Sequence, residues 1–178
     1  MSVEITALLK PECIAAGMPV PERRRGLGAI TSLLDRRRSG LESKRRVLGV
    51  LADLLAKADP GLDKTQILEC LLTRECLGGS GVGQGVAFPH CRTKSGQRVV
   101  GAFLKLSQGI DFDACDHGAV DLFFAFVTPT LVASEHIHLR VLAQLAQMFS
   151  DPALREQLRN TEEVGAIYEA ITTWKASE

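Results

Sequence analysis

The chain alternates between two hydrophobic periodicities. Between residues 43 and 77, and again from residue 134 onward, apolar positions recur every three or four residues, which predicts amphipathic helices. Between these regions, VVGAFLKL (99–106) is rich in strand-forming residues, and AVDLFFAFVTP (119–129) is an almost unbroken apolar run, as expected for a strand buried on both faces. We therefore predict an α/β fold with a small mixed β-sheet flanked by helices on both faces.

Capping residues mark where the helices are expected to begin and end. A short polar side chain before a helical segment accepts a backbone N–H group of the first turn that has no other partner. Proline fits the first helical turn because its missing N–H is not needed there. The tetrapeptide ADPG (58–61) predicts the end of the first long helix. The predicted helix starts are Ser43, Asp63, Ser134, Asp151 (before Pro152) and Thr161.

Charge is distributed unevenly along a chain whose net charge is zero. Residues 1–50 carry ten Lys and Arg against five Asp and Glu, and the basic residues cluster at 23–25, 36–38 and 44–46. This pattern fits either a solvated helical face or a docking patch for a protein partner or a nucleic acid. Aromatic residues form only 5% of the chain, which disfavours stacking platforms for single strands, so we expect no nucleic-acid partner.

The five cysteines indicate a reducing environment. Their odd number and the absence of a Cys-x-x-Cys pair argue against a disulfide framework and against a zinc ribbon. No apolar run approaches ~18 residues, so no membrane insertion is expected. The N-terminus lacks the basic and apolar regions of a secretory signal. These features together predict a cytoplasmic protein.

The stretch GGSGVGQGVAFPHCR (78–92) carries the strongest chemical signal. It is not a Walker loop, because no lysine follows its glycines, and Gln84 stands where the dinucleotide fingerprint requires a third glycine. Bare backbone N–H groups can approach an anion closely, and Pro89 restricts the backbone just before His90. The pattern predicts that His90 lies beside an anion-binding loop, where its imidazole can act as a nucleophile.

Other polar residues stand at the ends of predicted helices. His136 and His138 begin one helix, but positions two apart face different ways, so we expect no metal site joining them to His90, and no cofactor. Arg74 ends the helix before the glycine loop, either as a cation opposite the helix dipole or as a fork for phosphoryl oxygens. Cys91 is interpreted as a small packing residue.

The segment LLTRECLGGSGVGQGVAFPH (71–90) resembles the active-site region of enzyme IIA of the bacterial phosphotransferase system, fructose–mannitol type. The similarity extends from about Ser43 to Trp174 and includes SKRRVLGVLADLL (43–55) and HLRVLAQLAQMFSDPALREQL (138–158). It is greatest to the nitrogen-related regulatory variety. The resemblance implies the same fold of a mixed sheet between helices.

The resemblance also implies a phosphocarrier with defined site residues. His90 matches the histidine that is phosphorylated at Nε2 by a histidine-containing phosphocarrier protein. Counting back thirteen positions from Asp151 places the family's second histidine on His138 rather than His136. The arginine before the loop falls on Arg74. The loop positions expected to bind the phosphoryl group are Ser80, Gly81 and Gly83.

Departures from the family pattern concern the N-terminal region and one residue of the motif. We expect a phosphotransferase IIA type-2 domain at 43–178 and an N-terminal segment at 1–42, with a basic helical insertion near 15–42. Cys91 replaces a residue that is commonly small or glycine, which adds a redox liability.

Three function classes follow from this reading. The first is a regulatory, nitrogen-related phosphocarrier whose two states bind different target proteins. The alternative is a sugar-transport IIA component that passes phosphate to a IIB cysteine for fructose/mannitol-type uptake. A third class, a non-catalytic interaction module, is disfavoured because His90, Arg74 and His138 are all present.

Overall fold

The computed structural model describes residues 5–20, 33–130 and 134–175. A short 3-10 helix at Ile5–Ala7 precedes the regular elements. The strands are β1 (Leu9–Met18), β2 (Gly81–Gly83), β3 (Val86–Ala87), β4 (His90–Thr93), β5 (Val100–Asp111) and β6 (Ala119–Pro129). The helices are α1 (Leu33–Ala58), α2 (Lys64–Leu77), α3 (Ser134–Ser150), α4 (Pro152–Asn160) and α5 (Val164–Thr173).

These six strands form one mixed sheet in which β6 is central. The order is β1-β5-β6-β3-β2, and β4 also pairs with β6. β5 runs antiparallel to β6, whereas β3 and β4 follow one another parallel to β6, with Val86 opposite Leu122 and His90 opposite Phe126. The predicted mixed sheet is confirmed, and the chain enters β4 directly at His90.

Side-chain alternation along β6 shows that helices cover both faces of the sheet. Phe124 packs against Phe149 of α3, so the even-numbered side chains of β6 face α3. Phe123 packs against Phe112, which in turn lies under the Lys44 ammonium of α1. The odd-numbered side chains therefore face α1. Both faces of β6 are buried from Leu122 to Pro129, as the apolar run predicts.

Three predicted helix boundaries are confirmed. Asp63 and Asp151 cap α2 and α4 by accepting from Gln66 N and Ala153 N at 2.9 Å each. Helix α1 ends at Ala58, within the ADPG segment. The side chain of Ser134 lies outside the described residues.

The predictions for Ser43 and Thr161 are wrong. Helix α1 already begins at Leu33, because the Leu- and Arg-rich residues before Ser43 continue the helix and leave Ser43 inside it. Helix α5 begins at Val164, with Glu163 at its N-cap. Thr161 instead ends α4 in an extended conformation, and its carbonyl accepts a hydrogen bond from the Lys105 ammonium at 2.7 Å.

The N-terminal segment contributes to the same sheet. β1 pairs with β5 in parallel, and α1 runs through residue 42 without interruption. The division at residue 42 and the insertion near 15–42 stay predictions; residues 21–32 lie outside the described part of the chain, as do the side chains of 36–38. Lys44 does not belong to a solvated basic face, since it is only 9% exposed. No helix among the described residues is long and apolar enough to span a membrane.

Candidate active site

His90 is held by backbone and ring contacts at the start of β4. The preceding Pro89 offers its carbonyl to Phe126 N at 3.1 Å, which fixes the chain against β6. The His90 imidazole stacks on the Phe126 ring with centroids 5.3 Å apart and an interplanar angle of 14°. The residue is 7% exposed. The ring therefore has one orientation on the face of the sheet that α3 covers.

A hydrogen bond determines which nitrogen of His90 can react. Nδ1 lies 2.6 Å from the Phe88 carbonyl oxygen. A carbonyl oxygen only accepts, so Nδ1 carries the proton and donates it. In the neutral imidazole, the lone pair available to an electrophile is then on Nε2. The structure thus supplies a physical reason for the Nε2 chemistry that the resemblance implies.

The surroundings of His90 keep it neutral. Burial is the main cause of its lowered pKa, and the nearby charge of Arg74 lowers it further. The hydrogen bond to Phe88 and the charge of Glu75 act in the opposite direction and do not outweigh burial. The pKa lies below the ordinary value of about 6.5, so the ring is a free base at neutral pH.

His138 of α3 is the second histidine of the site. Its ring centroid lies 5.0 Å from that of His90, with the two rings edge to face at 63°. Burial is the largest cause of the lowered pKa of His138, which is about 4; electrostatic repulsion from His90 when that ring is protonated, and from Arg92 and Arg74, lowers it further. His136, two residues earlier, is exposed. The structure therefore brings His138 to His90, as the count from Asp151 indicates.

Thr128 at the end of β6 orients His138. The Thr128 hydroxyl lies 2.7 Å from His138 Nδ1 and 3.4 Å from the Cys91 carbonyl. When the hydroxyl donates to Nδ1 of a neutral His138, the ring proton is on Nε2. When His138 is protonated, Nδ1 donates and the hydroxyl turns to the Cys91 carbonyl. Thr128 can therefore satisfy both protonation states of His138.

Arg74 lies at the end of α2, as the helix-dipole alternative predicts, and its role as a fork for phosphoryl oxygens stays a prediction. It stands in the last turn of α2, and its Nη1 donates to the Gly78 carbonyl at 2.9 Å, just beyond the helix end. Its charge also lowers the pKa of His90 and of His138, which places the guanidinium within electrostatic reach of both rings. The residue closes the helix and adds positive charge to the site.

A buried ionic network anchors the glycine loop to α2. The Glu75 carboxylate accepts from Ser80 N at 3.1 Å, from Ser80 Oγ at 2.7 Å and from Lys44 Nζ at 3.3 Å. Lys44 also pairs with Asp113 at 2.5 Å. The side chains of Glu75 and Lys44 are 8% and 11% exposed. This Glu75 network, formed by Lys44, Glu75, Ser80 and Asp113, fixes the loop next to the Arg74 turn.

The loop glycines have packing reasons of their own. A Cβ on Gly81 would lie 2.7 Å from the Ala114 Cα, so only glycine lets the two backbones approach this closely. Gly83 has φ +93° in the β2–β3 turn, beside Asp116. Ser80 O accepts from Phe88 N at 3.0 Å, which joins the beginning of the loop to the segment before His90. The roles of Ser80, Gly81 and Gly83 as phosphoryl-binding positions stay predictions.

Sequence reasoning missed several residues around the site. The sequence motif gives Glu75 no role of its own, although the residue lies one turn before the loop that it anchors. Arg92, whose charge acts on His138, shares a strand face with His90 because the two are two residues apart. Period-two alternation could have indicated Arg92. Nothing in the local sequence indicates Thr128, whose partner is ten residues away on another element.

The family is decided by comparison with known proteins. Residues 34–174 match the family model described as "Phosphoenolpyruvate-dependent sugar phosphotransferase system, EIIA 2". The chain belongs to this phosphotransferase family. The match includes every site residue described above and most of α1, but not β1.

Individual members of the family agree with this assignment. The chain is 40% identical over 129 residues to the nitrogen regulatory protein of Pseudomonas aeruginosa, covering 72% of this chain and 82% of the relative. The crystal structure of nitrogen regulatory protein IIA-Ntr from Neisseria meningitidis superposes with a TM-score of 0.75 at 29% identity, over 94% of this chain and 99% of that one. The mannitol IIA protein of Escherichia coli, solved in complex with phosphorylated mannitol IIB, shares the EIIA fold with a TM-score of 0.62 at 18% identity, over 92% and 96% of the two chains.

Proposed function

We propose that Nε2 of His90 accepts a phosphoryl group from the phosphohistidine of a histidine-containing phosphocarrier protein. The observation that carries this proposal is the bond from Nδ1 to the Phe88 carbonyl, which leaves Nε2 as the free base. The donor P–N bond breaks as the Nε2 lone pair forms the new P–N bond. The proton stays on Nδ1, where it is hydrogen-bonded to the Phe88 carbonyl oxygen, so the ring needs no separate proton acceptor.

Charge neutralisation and alignment are the main requirements of phosphoryl transfer. We assign neutralisation to Arg74, whose planar fork can pair two phosphoryl oxygens. A neutral His138 with its proton on Nε2 can donate to a third oxygen. Gly81 and Gly83 stay candidates for backbone donation. Both donors of Ser80 are bound to Glu75, so we expect Ser80 to act by holding the loop.

The regulatory role is favoured by the relatives. Proteins named nitrogen regulatory protein resemble the chain both in sequence and in structure. Phosphorylation adds about −1.5 to −2 charges at neutral pH, beside a site whose described groups are mainly neutral or positive. We infer that regulatory target proteins distinguish the two states through this charge. We expect these target proteins to dock on the surface around His90, which includes Leu139, the 64% exposed residue after His138.

The alternative is a sugar-transport IIA component that passes the phosphoryl group to a IIB cysteine. The observation behind it is the fold shared with the mannitol protein that was solved with its IIB partner. A chase experiment separates the two functions. In this experiment the phosphorylated protein is mixed with a fructose- or mannitol-type IIB protein. Loss of the phosphoryl group to IIB at a rate comparable with that of sugar uptake supports the transport function. Persistence of the phosphoryl group on the protein supports the regulatory function.

Intact-mass measurement tests the phosphocarrier proposal directly. The protein is incubated with phosphoenolpyruvate, enzyme I and the histidine-containing carrier, and we expect one acid-labile phosphoryl group. His90→Ala should abolish the gain, and the exposed His136→Ala serves as the matched control. Phosphorylation of the His90→Ala protein would exclude the assignment.

The supporting residues are tested by transfer rate. His138→Ala should slow transfer by about 10²–10⁴-fold, the range for one positioned catalytic side chain. Arg74→Lys should retain part of the rate, because it keeps the charge without the fork, and Arg74→Ala should lose more. A larger loss from His136→Ala than from His138→Ala would show that the wrong histidine was assigned.

A further inference from the structure

Two of the five cysteines form a pair beside His90. Cys70 lies on the face of α2 that packs on β4, and Cys91 follows His90 in β4. The Cys70 Sγ lies 3.2 Å from the Arg92 carbonyl oxygen, and its side chain is also hydrogen-bonded to the Cys91 thiol. Because Cys70 Sγ lies on the backbone of the residue after Cys91, the two thiols are neighbours across the α2–β4 interface. We call Cys70 and Cys91 the thiol pair.

The thiol pair is separate from the imidazole but shares its backbone. Successive side chains of a strand point to opposite faces, so Cys91 faces α2 while His90 faces α3. The Thr128 hydroxyl, which binds His138 Nδ1 at 2.7 Å, also lies 3.4 Å from the Cys91 carbonyl oxygen. A displacement of Cys91 is thus transmitted to His90 through the chain and to His138 through Thr128.

The two thiols differ in the properties that oxidation requires. Cys70 is half-buried, so a small oxidant can reach it, whereas Cys91 is 4% exposed. The hydrogen bond from Cys91 lowers the pKa of Cys70 to about 7, against the effect of burial. The same interaction, together with burial, raises the pKa of Cys91. Cys70 is therefore the thiol that is partly ionised at neutral pH, and Cys91 is the neighbouring thiol.

We propose that Cys70 and Cys91 form a reversible disulfide when the protein meets a hydroperoxide, and that this bond slows phosphoryl transfer at His90. The second half of the proposal rests on the proposed function. The first half concerns only the thiol pair. It assigns a redox modification site to two residues that the phosphoryl-transfer chemistry does not use.

The reaction proceeds in two steps. The Cys70 thiolate attacks one peroxide oxygen, the O–O bond breaks, and the products are Cys70 sulfenic acid and, after protonation, water or an alcohol. The Cys91 sulfur then attacks the Cys70 sulfur, the S–O bond breaks, and the hydroxyl group leaves as water with the Cys91 proton. The two cysteines lose two electrons, and the hydroperoxide gains them. A dithiol reductant reverses the bond by thiol–disulfide exchange.

The disulfide changes the geometry of the site because of its length. An S–S bond is about 2.05 Å long, shorter than any contact between two thiols. Its formation draws β4 towards α2 at the residue next to His90. A displacement of about 1 Å at a reacting group can cost about 100-fold in rate. We therefore expect the oxidised protein to accept the phosphoryl group about 10- to 100-fold more slowly.

Thiol counting and peptide mapping test the disulfide itself. Full-length protein treated with stoichiometric hydrogen peroxide should lose two of its five free thiols and yield a cross-linked peptide containing residues 70 and 91. Cys70→Ser and Cys91→Ser should each prevent the cross-link. Cys76→Ser, an exposed cysteine of the same helix, should leave it unchanged. Oxidation confined to Cys76 and Cys115, with Cys70 and Cys91 still reduced, would overturn the proposal.

Transfer kinetics test the consequence for His90. Peroxide should slow phosphorylation of the wild-type chain, dithiothreitol should restore it, and Cys70→Ser should be insensitive to peroxide. Cys70→Ser is the main variant because Cys70 is half-buried and its replacement leaves β4 intact. An unchanged rate of phosphoryl transfer in the cross-linked protein would overturn the proposal that the disulfide slows transfer at His90. If the reduced wild-type protein failed to accept a phosphoryl group, the proposed function would be rejected. The peptide map would still show whether the disulfide between Cys70 and Cys91 forms.

Discussion

Replacing Glu75 by Gln tests whether the Glu75 network positions the glycine loop. The substitution keeps the size of the side chain and removes its charge. The amide oxygen can still accept from Ser80 N, and the amide NH2 can donate to Ser80 Oγ. Three charge-assisted interactions thereby become neutral ones or are lost: those to Ser80 N, Ser80 Oγ and Lys44 Nζ.

The size of the effect follows from these three contacts. A hydrogen bond to a charged group contributes about 1.5–3 kcal/mol, against about 0.5–1.5 kcal/mol for a neutral one. A loss of about 1 kcal/mol per contact lowers the free energy of unfolding by about 2–3 kcal/mol. Lys44 retains Asp113, which is 75% exposed and limits the further penalty. Because the Glu75 charge raises the pKa of His90, the substitution should also lower that pKa.

Urea unfolding followed by circular dichroism measures the stability change, and rapid-quench phosphorylation measures the transfer rate, which we expect to fall about 10- to 100-fold. Glu69→Gln makes the same chemical change at an exposed position of α2 and should stay within about 0.5 kcal/mol of wild type. Ser80→Ala combined with Glu75→Gln should show a coupling of about 0.5–3 kcal/mol, since the two side chains are in direct contact. Additive single effects, or a Glu75→Gln protein as stable as Glu69→Gln, would refute the anchoring role.

Four further predictions concern titration of the histidines, the pH dependence of stability, a helix end and the loop backbone. Phosphorylation of His90 should raise the pKa of His138 from about 4 by about one unit or more, because it places a dianion beside the His138 ring. Two-dimensional NMR of the ring protons measures the pKa of His138 before and after phosphorylation. An unchanged pKa would mean that the two rings are not electrostatically coupled. Both histidines have lowered pKa values in the folded state, so their stabilising contribution is complete above about pH 6.5 and is lost as the pH falls through the folded-state pKa, which for His138 is about 4. A His138→Gln protein should therefore lose less stability than wild type in urea titrations over that range, and an identical loss would contradict the linkage. Lys105→Met should lower the free energy of unfolding by about 2–4 kcal/mol, because the buried ammonium donates to the Arg159 and Thr161 carbonyls at the end of α4, at 2.5 and 2.7 Å. Lys94→Met, at an exposed position, should have little effect. Equal stabilities of the two variants would show that these hydrogen bonds add nothing to stability. Gly81→Ala should destabilise the protein by about 1–3 kcal/mol, since its Cβ would lie 2.7 Å from a backbone carbon of the connection after β5; calorimetry that finds the variant as stable as wild type would contradict the close approach.

Local sequence patterns were sufficient for several of the elements, and they singled out His90 as the candidate reacting histidine. The apolar run of β6 predicted a strand buried on both faces, and the Asp63 and Asp151 caps marked helix starts, because these signals depend only on neighbouring residues. Ser43 shows the limit of such signals. An N-cap residue begins a helix only where the preceding residues are not themselves helical, and the residues before Ser43 are helical.

The tertiary structure decided the chemistry around His90. Sequence indicated a histidine after a glycine loop and a proline, but the tautomer depends on the Phe88 carbonyl, whose direction is set when β3 and β4 align beside β6. Glu75 meets Lys44 across 31 residues, and Cys70 meets Cys91 across 21, because α1 packs on α2 and α2 packs on β4. Hydrophobic periodicity indicates which face of a helix or strand is buried. It does not indicate which side chain from a distant part of the chain packs against that face. Those pairings arise only when the helices settle on the sheet, and they determine protonation, loop position and thiol contact at this site.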